Sequence, residues 1–367
     1  MKMAPLLRAL QQYPRVRTTL IHTGQHYDEN LSNVFFRELG MKPPEVNLEV
    51  GSGTHGAQTA QVLERLEAVL AAGAPGGGRY DRVVVVGDVN STMAAALAAV
   101  KLGIPVAHVE AGLRSFDRSM PEEINRIVTD AVADVLLVSE PAGMENLRRE
   151  GRPAEVMHLV GNVMIDTLIW LLPQARSGDT LSRHGLRPGE YGVVTLHRPA
   201  NVDAAATLAP LLDVLVEASQ ALRLVFPMHP RTRRRIDEFG LSAKLNGQSR
   251  IMELPPLGYL DFLALTSQAA VIVTDSGGLQ EESTVLGIPC LTARPNTERP
   301  ITVEQGTSTL VGSDPGRLRA CLRTVLDGGY KQGRCPPLWD GHAAERIAQI
   351  LSTEDREPRR QGATGRV

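Results

Sequence analysis

The chain has 367 residues, 43% of them hydrophobic and 22% charged, with a formal net charge of −2. That length exceeds one typical domain and predicts two, while the near-neutral charge balance argues against nucleic acid or an anionic membrane as partner. Three cysteines (Cys290, Cys321 and Cys335) without a C-x-x-C pair are too few for a disulfide framework or a zinc site.

No apolar run approaches the about 18–20 residues of a membrane span. The opening M-K-M-A-P-L-L is too short and too soon interrupted for a signal peptide. A soluble, cytoplasmic protein is expected.

In chain order, residues 2–11 carry apolar Leu6, Leu7 and Leu10 at helical spacing, and residues 17–22 read as a strand. A helix at the first residue followed by a strand looks like a βαβ unit without its first strand. Residues 58–70 and the Ala-rich 91–102 are predicted helices. Residues 82–86 (RVVVV), 105–109 and 135–139 are predicted buried parallel strands. Residues 121–132 form a predicted helix, with Pro121 in its first turn and Glu122 and Glu123 at its positive end.

After a connection through Gly151, Pro153 and Gly161-Asn162, the alternation restarts with strands over 192–196, 222–227, 269–274 and 289–292. Arg231, Arg233, Arg234 and Arg235 read as a solvated helix face. The segment 71–78 reads as a flexible loop and the polar tail, 353–367, as disordered. Two such runs predict an α/β protein of two Rossmann-type, doubly wound domains facing a central cleft. The first covers 1–164, completed by a C-terminal helix at 342–352. The second covers 165–341.

Six motifs place chemistry at or after predicted strand ends. In V-T-D-S-G-G-L-Q-E-E (273–282), a strand ends and two glycines open a helix. Backbone without Cβ and free helix N–H groups suit a diphosphate at Ser276, Gly277 and Gly278, and Glu282 one turn on suits ribose hydroxyls. Asp88 in V-G-D-V-N-S-T and Glu110 in H-V-E-A-G-L-R-S end neighbouring strands and could share a cleft with Glu122. Helix capping by Asp88, Asn90 or Ser91 explains the first motif equally, and a surface carboxylate favouring the helix dipole explains Glu122. His197 and Arg198 in T-L-H-R-P, with His229 in F-P-M-H-P, mark two strand ends of the second run. Metal binding competes there, but no H-E-x-x-H spacing supports it. Glu298 and Arg299 in T-E-R-P read equally as a surface ion pair.

Jointly these motifs resemble the non-hydrolysing UDP-N-acetylglucosamine 2-epimerases. The resemblance runs over H-T-G-Q-H-Y-D (22–28), V-G-D-V-N-S-T (86–92), H-V-E-A-G-L-R-S (108–115), P-E-E-I-N-R (121–126), G-N-V-M-I-D (161–166), L-H-R-P (196–199), D-S-G-G-L-Q-E-E (275–282) and T-E-R-P (297–300), in the family's order and across nearly the whole chain. It implies a GT-B-like fold and a cytoplasmic homodimer without cofactor or metal, supplying surface polysaccharide precursors. It also implies reversible conversion of UDP-GlcNAc to UDP-ManNAc by elimination and readdition of UDP. Asp88, Glu110, Glu122 and His197 are then the catalytic candidates, with the choice of base open. Substrate contacts implied are Lys2, Arg198, His229, Phe262 near the uracil, Ser276 to Gly278, Glu282 and Arg299, with Leu257 where the family has Gln.

Three departures accompany the resemblance. The family's opening strand and G-T-R-P-E loop precede its K-M-A-P-L helix, whereas this chain begins at that helix, so a central strand is expected to be missing through a misassigned start codon or truncation. Gln61 and Asp28 alter the region where many members bind an activating second UDP-GlcNAc. Leu257 is the third. Alternatives are a 2-epimerase of a UDP-diacetamido-uronic acid, a GT-B glycosyltransferase, and a catalytically dead binding protein.

Overall fold

Twelve parallel strands carry the described chain, and the computed structural model describes residues 1–24, 36 and 38–353. The strands are β1 (Ile21–His22), β2 (Val46–Asn47), β3 (Val83–Val86), β4 (Val106–Ala111), β5 (Val135–Val138), β6 (Met157–Leu159), β7 (Tyr191–Thr195), β8 (Arg223–Pro227), β9 (Ile251–Leu254), β10 (Val271–Thr274), β11 (Cys290–Thr292) and β12 (Ser308–Leu310). Every strand pairing is parallel, which requires helical crossovers and puts helices on the sheet faces.

The N-terminal half builds a four-stranded sheet β3-β4-β5-β6 and a separate β1-β2 pair. Among the described residues no strand pairs with β3 on the side away from β4. One apolar core nevertheless joins both pieces, with Leu48 and Val50 packing together with Val62, Val85 and Val106. The C-terminal half builds a six-stranded sheet in the order β12-β11-β10-β7-β8-β9. The chain runs outward from β7 to β9, then returns to β10 and runs outward the other way. The switch point between β7 and β10 opens a crevice at their carboxyl ends.

Helix Ala343–Thr353 returns to the first unit. Its Ala344 and Ile347 share a core with Leu6, Ala107, Leu137 and Val163. Its first amides, Ala343 N–H and Ala344 N–H, donate to Asp166 at 3.2 and 2.6 Å, which satisfies a helix start that would otherwise be an orphan. Trp339, 1% exposed, packs with Ile165, Tyr259 and Ile301 and donates to the Ser139 carbonyl, tying the two units together.

Helix Pro121–Val132 has the bounds its pattern predicts. The strand expected over 17–22 is only Ile21–His22, since among the described residues no partner strand meets polar, exposed Arg17 and Thr18. Strands β2, β6, β9 and β12 are short, and the sequence pattern did not announce them. Asp28, of the expected activator region, and most of the expected tail, 354–367, lie outside the described residues.

Candidate active site

β3 and β4 end side by side and carry Asp88 and Glu110 into one cluster. Glu110 sits where the β4–β5 register shifts, and its φ is +73°, an uncommon backbone for a residue with a side chain. Such a conformation costs about 1–3 kcal/mol and persists only where its surroundings enforce it. Here the enforcement is electrostatic. The buried Glu110 carboxylate accepts from Arg299 Nη2 at 2.7 Å and pairs on its other oxygen with Lys2 Nζ.

Asp88 does not cap the following helix. Val89 holds the capping position of helix Asn90–Lys101, and the Asp88 carboxylate accepts from Arg126 Nε and Nη2 at 3.0 and 2.7 Å. Burial alone would raise its pKa, but Arg126, Lys2 and Arg299 hold it below the ordinary carboxylate value. Asp88 is therefore ionised at neutral pH.

The two acids of P-E-E separate. Glu123 is buried and structural: it pairs with Arg126 Nη1 at 2.5 Å and accepts from Ser115 N–H, Ser115 Oγ and Phe116 N–H. Glu122 is half-buried and lines a cavity of ≈ 670 Å³ together with His197, Arg198, His229, Arg231 and Arg234. That cavity spans the two units. Arg231 pairs with Asp203 at 2.6 Å and Arg233 with Glu253, so the arginine run is partly a solvated face and partly a cavity wall.

Arg299 is no surface residue. It is 5% exposed and bridges the units, reaching Glu110 from the first and Glu281 (Nε to Oε1, 2.6 Å) and Glu298 from the second. Burial raises the Glu281 pKa against the pull of Arg299, and the neighbouring Glu110 adds to it. Glu298, also buried, is held far below the usual range by Arg299 and Arg294. Asn162 Nδ2 donates to Glu281 Oε1 at 2.8 Å and adds a second link between the units.

On the second unit, helix Gly277–Leu286 opens directly after Asp275 and Ser276, and Ser276 makes no side-chain capping bond. Its first amides are thus available to an anion. A Cβ on Gly277 would lie 3.0 Å from Arg299 Nη1 and 3.1 Å from Glu298 Oε1, so a side chain there presses on both charged groups. Glu282 is buried and accepts from the Tyr259 hydroxyl at 2.9 Å; burial pushes its carboxyl up to about 7, with the Tyr259 bond opposing and Glu281 adding. Leu257 and Phe262 pack together on the same apolar cluster, against Leu265 and Leu279.

His197 is half-buried. Its Nδ1 lies 2.8 Å from Asp275 Oδ1, and its ring is 5.3 Å from that of His229. Burial and His197 lower the His229 pKa, so His229 is neutral. Burial likewise lowers the Arg198 pKa, with Arg294 adding to the effect and Glu298 opposing it.

The structure thus brings Lys2, Asp88, Glu110 and Arg299 into one cluster, with Glu110 and Arg299 buried and Lys2 and Asp88 half-buried. Glu122, His197, Arg198 and His229 form the adjoining cavity, and Leu257, Phe262 and Glu282 a third group along helix Gly277–Leu286. Among the described residues no group of three or more His, Cys, Asp or Glu forms a metal site.

Sequence reasoning missed several residues. Asp130 accepts from His108 Nδ1 at 2.6 Å, while His108 Nε2 meets the Gly87 carbonyl at 2.8 Å and fixes the turn before Asp88. Both ring nitrogens then donate, so His108 is protonated; burial opposes this and the Asp130 charge outweighs it. His108 stands two residues before Glu110 on one strand, which was the available signal.

Glu140 is another. It is 1% exposed, and its carboxyl is pushed from 4.5 up to about 8, chiefly by burial, with Arg299 opposing and Glu281 and Glu304 adding. Between those two pH values the folded state holds a proton that the unfolded chain has released, so stability falls as pH rises through the window. Glu140→Gln is expected to stabilise the fold at pH 8 by at least about 1 kcal/mol and much less at pH 5, read by urea unfolding.

Chemically, the cluster offers an ionised carboxylate, a second carboxylate gripped by two cations, and an anion site across the crevice. That set suits proton removal next to a carbon losing an anionic group. Comparisons with known proteins agree. The sequence profile of the UDP-N-acetylglucosamine 2-epimerase family matches residues 8–352. The UDP-N-acetylglucosamine 2-epimerase of Methanococcus maripaludis is 40% identical over 358 residues, covering 96% of this chain and 95% of that protein. The Methanocaldococcus jannaschii enzyme is 41% identical, covering 96% and 95%. The crystal structure of the M. jannaschii enzyme with UDP-GlcNAc and UDP superposes with a TM-score of 0.86 and 41% identity over 96% of both chains.

Proposed function

The chain belongs to the UDP-N-acetylglucosamine 2-epimerase family, and on that premise we propose that it interconverts UDP-GlcNAc and UDP-ManNAc by eliminating UDP and adding it back. The observation that carries the reading is the contact of Glu110, from the unit that also holds Asp88, with Arg299 of the other, which packs beside the Ser276–Gly278 helix start.

In the forward direction a base takes the proton from C2, the C1–O bond breaks, and UDP leaves with the electron pair. A C1–C2 double bond remains on the sugar. A proton then returns to C2 on the opposite face, and the UDP oxygen closes on C1. Asp88, Glu110 and Glu122 supply the carboxylates for the two proton movements. Lys2 and Arg299 hold Glu110 in place. Ser276, Gly277 and Gly278, with His197 and Arg198, receive the charge that develops on the departing diphosphate. Glu282 faces the ribose, and Leu257 and Phe262 the uracil. Excluding water keeps the intermediate from hydrolysis.

The family reading also supports a cytoplasmic homodimer with a division at 1–164 plus 342–352 against 165–341. The test is direct: incubation with UDP-GlcNAc followed by proton NMR is expected to show UDP-ManNAc at equilibrium. Free UDP with released sugar, or unchanged substrate, overturns the reading.

Gly277→Ala provides a finer check. The methyl group presses on Arg299 and Glu298 and crowds the anion site. A rise of about tenfold in KM for UDP-GlcNAc is expected, the equivalent of roughly 1.4 kcal/mol of lost binding.

A further inference from the structure

We propose that Asp275 is a positioning residue that fixes the proton of His197 on Nδ1 and so presents Nε2 to the departing diphosphate. The proposal rests on the epimerase reading for its chemistry and on geometry alone for its tautomer.

Asp275 follows β10 and is fully buried. The side chains of Thr195 and Thr274 bond at 2.7 Å across the β7–β10 pairing just before it, so its place in the crevice is set by the sheet. Oδ2 accepts from His197 N–H at 2.9 Å, Arg198 N–H at 2.8 Å and Asn201 Nδ2 at 3.0 Å. Asn201 is itself held by the Ala293 carbonyl and by Ser313 Oγ. A carboxylate surrounded by so many donors is ionised and can only accept. Its Oδ1 lies 2.8 Å from His197 Nδ1, so that nitrogen carries the proton. The free ring nitrogen is then Nε2, and His197 lines the cavity.

His229 has the opposite arrangement. Its Nδ1 accepts from Arg231 N–H at 3.1 Å, which leaves its proton on Nε2. The two rings therefore present opposite groups at the same cavity, a bare Nε2 acceptor on His197 and an Nε2–H donor on His229. Arg198, Arg231, Arg234, His229 and Glu122 line the same cavity as His197, and Asp275 makes the direct contact with its ring. In its imidazolium form His197 gives the Nε2 proton to the departing diphosphate and becomes the neutral Nδ1–H imidazole; the proton returns to Nε2 when UDP adds back, and the Asp275 charge stabilises the imidazolium.

The test joins spectroscopy to kinetics on the full chain. Nitrogen-15 histidine NMR, with His197→Gln for assignment, is expected to show neutral His197 as the Nδ1–H tautomer. Asp275→Asn is expected to shift it to the Nε2–H tautomer and to lower kcat about 10²-fold with KM within threefold. A wild-type His197 protonated on Nε2 overturns the proposal, and so does an Asp275→Asn chain with unchanged kcat. Should Asp275→Asn fail to fold, the wild-type tautomer decides alone. A chain without epimerase activity whose His197 nonetheless shows Nδ1–H would overturn the functional reading and leave the positioning intact.

Discussion

Arg299→Ala is expected to destabilise the folded chain by about 3–5 kcal/mol and to abolish activity. The guanidinium reaches three buried carboxylates, Glu110, Glu281 and Glu298, from two units. Removing it leaves like charges together in a poorly solvated place. Those groups would then take up protons, so the loss should be larger at pH 8 than at pH 5. Urea unfolding at the two pH values reads the difference. Arg299→Lys should recover part of the stability but little activity, because an ammonium cannot reproduce the forked contacts. Equal stability of Arg299→Ala and wild type at pH 8 would refute the bridging role.

Glu110→Gln is the second. The amide keeps the shape but removes the charge that Lys2 and Arg299 grip, and it cannot accept a proton. A fall in kcat of about 10³-fold is expected, within the range for loss of a general acid or base, with UDP affinity changed only a few-fold. Calorimetric titration with UDP separates the two effects. A variant retaining near wild-type kcat would assign the proton chemistry to Asp88 or Glu122 instead.

Much of this site could be read in the residues. Strand ends mark Asp88, Glu110 and His197 because apolar β-branched runs stop there, and the helix Pro121–Val132 carries its own start signals. The two-unit fold follows from the repeated alternation of such runs. What could not be read is how side chains distant in the chain divide the work. Nothing local separates Glu122 from Glu123, yet packing sends one to the cavity and the other to Arg126 and the Ser115 loop. The pairing of Arg126 with Asp88 spans 38 positions, and that of Arg299 with Glu110 spans 189. T-E-R-P reads as a surface ion pair because its burial depends on the other unit. The short strands β6 and β9 escape for a related reason: neither Met157–Leu159 nor Ile251–Leu254 is a continuous apolar run, and neighbouring strands specify both.

The most direct test of the central claim is turnover of UDP-GlcNAc in deuterated buffer, followed by proton NMR and mass spectrometry. Elimination and readdition at this site predicts UDP-ManNAc carrying one deuterium at C2, with deuterium also entering the recovered UDP-GlcNAc. UDP-ManNAc that retains its original C2 hydrogen, or substrate that exchanges nothing, would contradict the account.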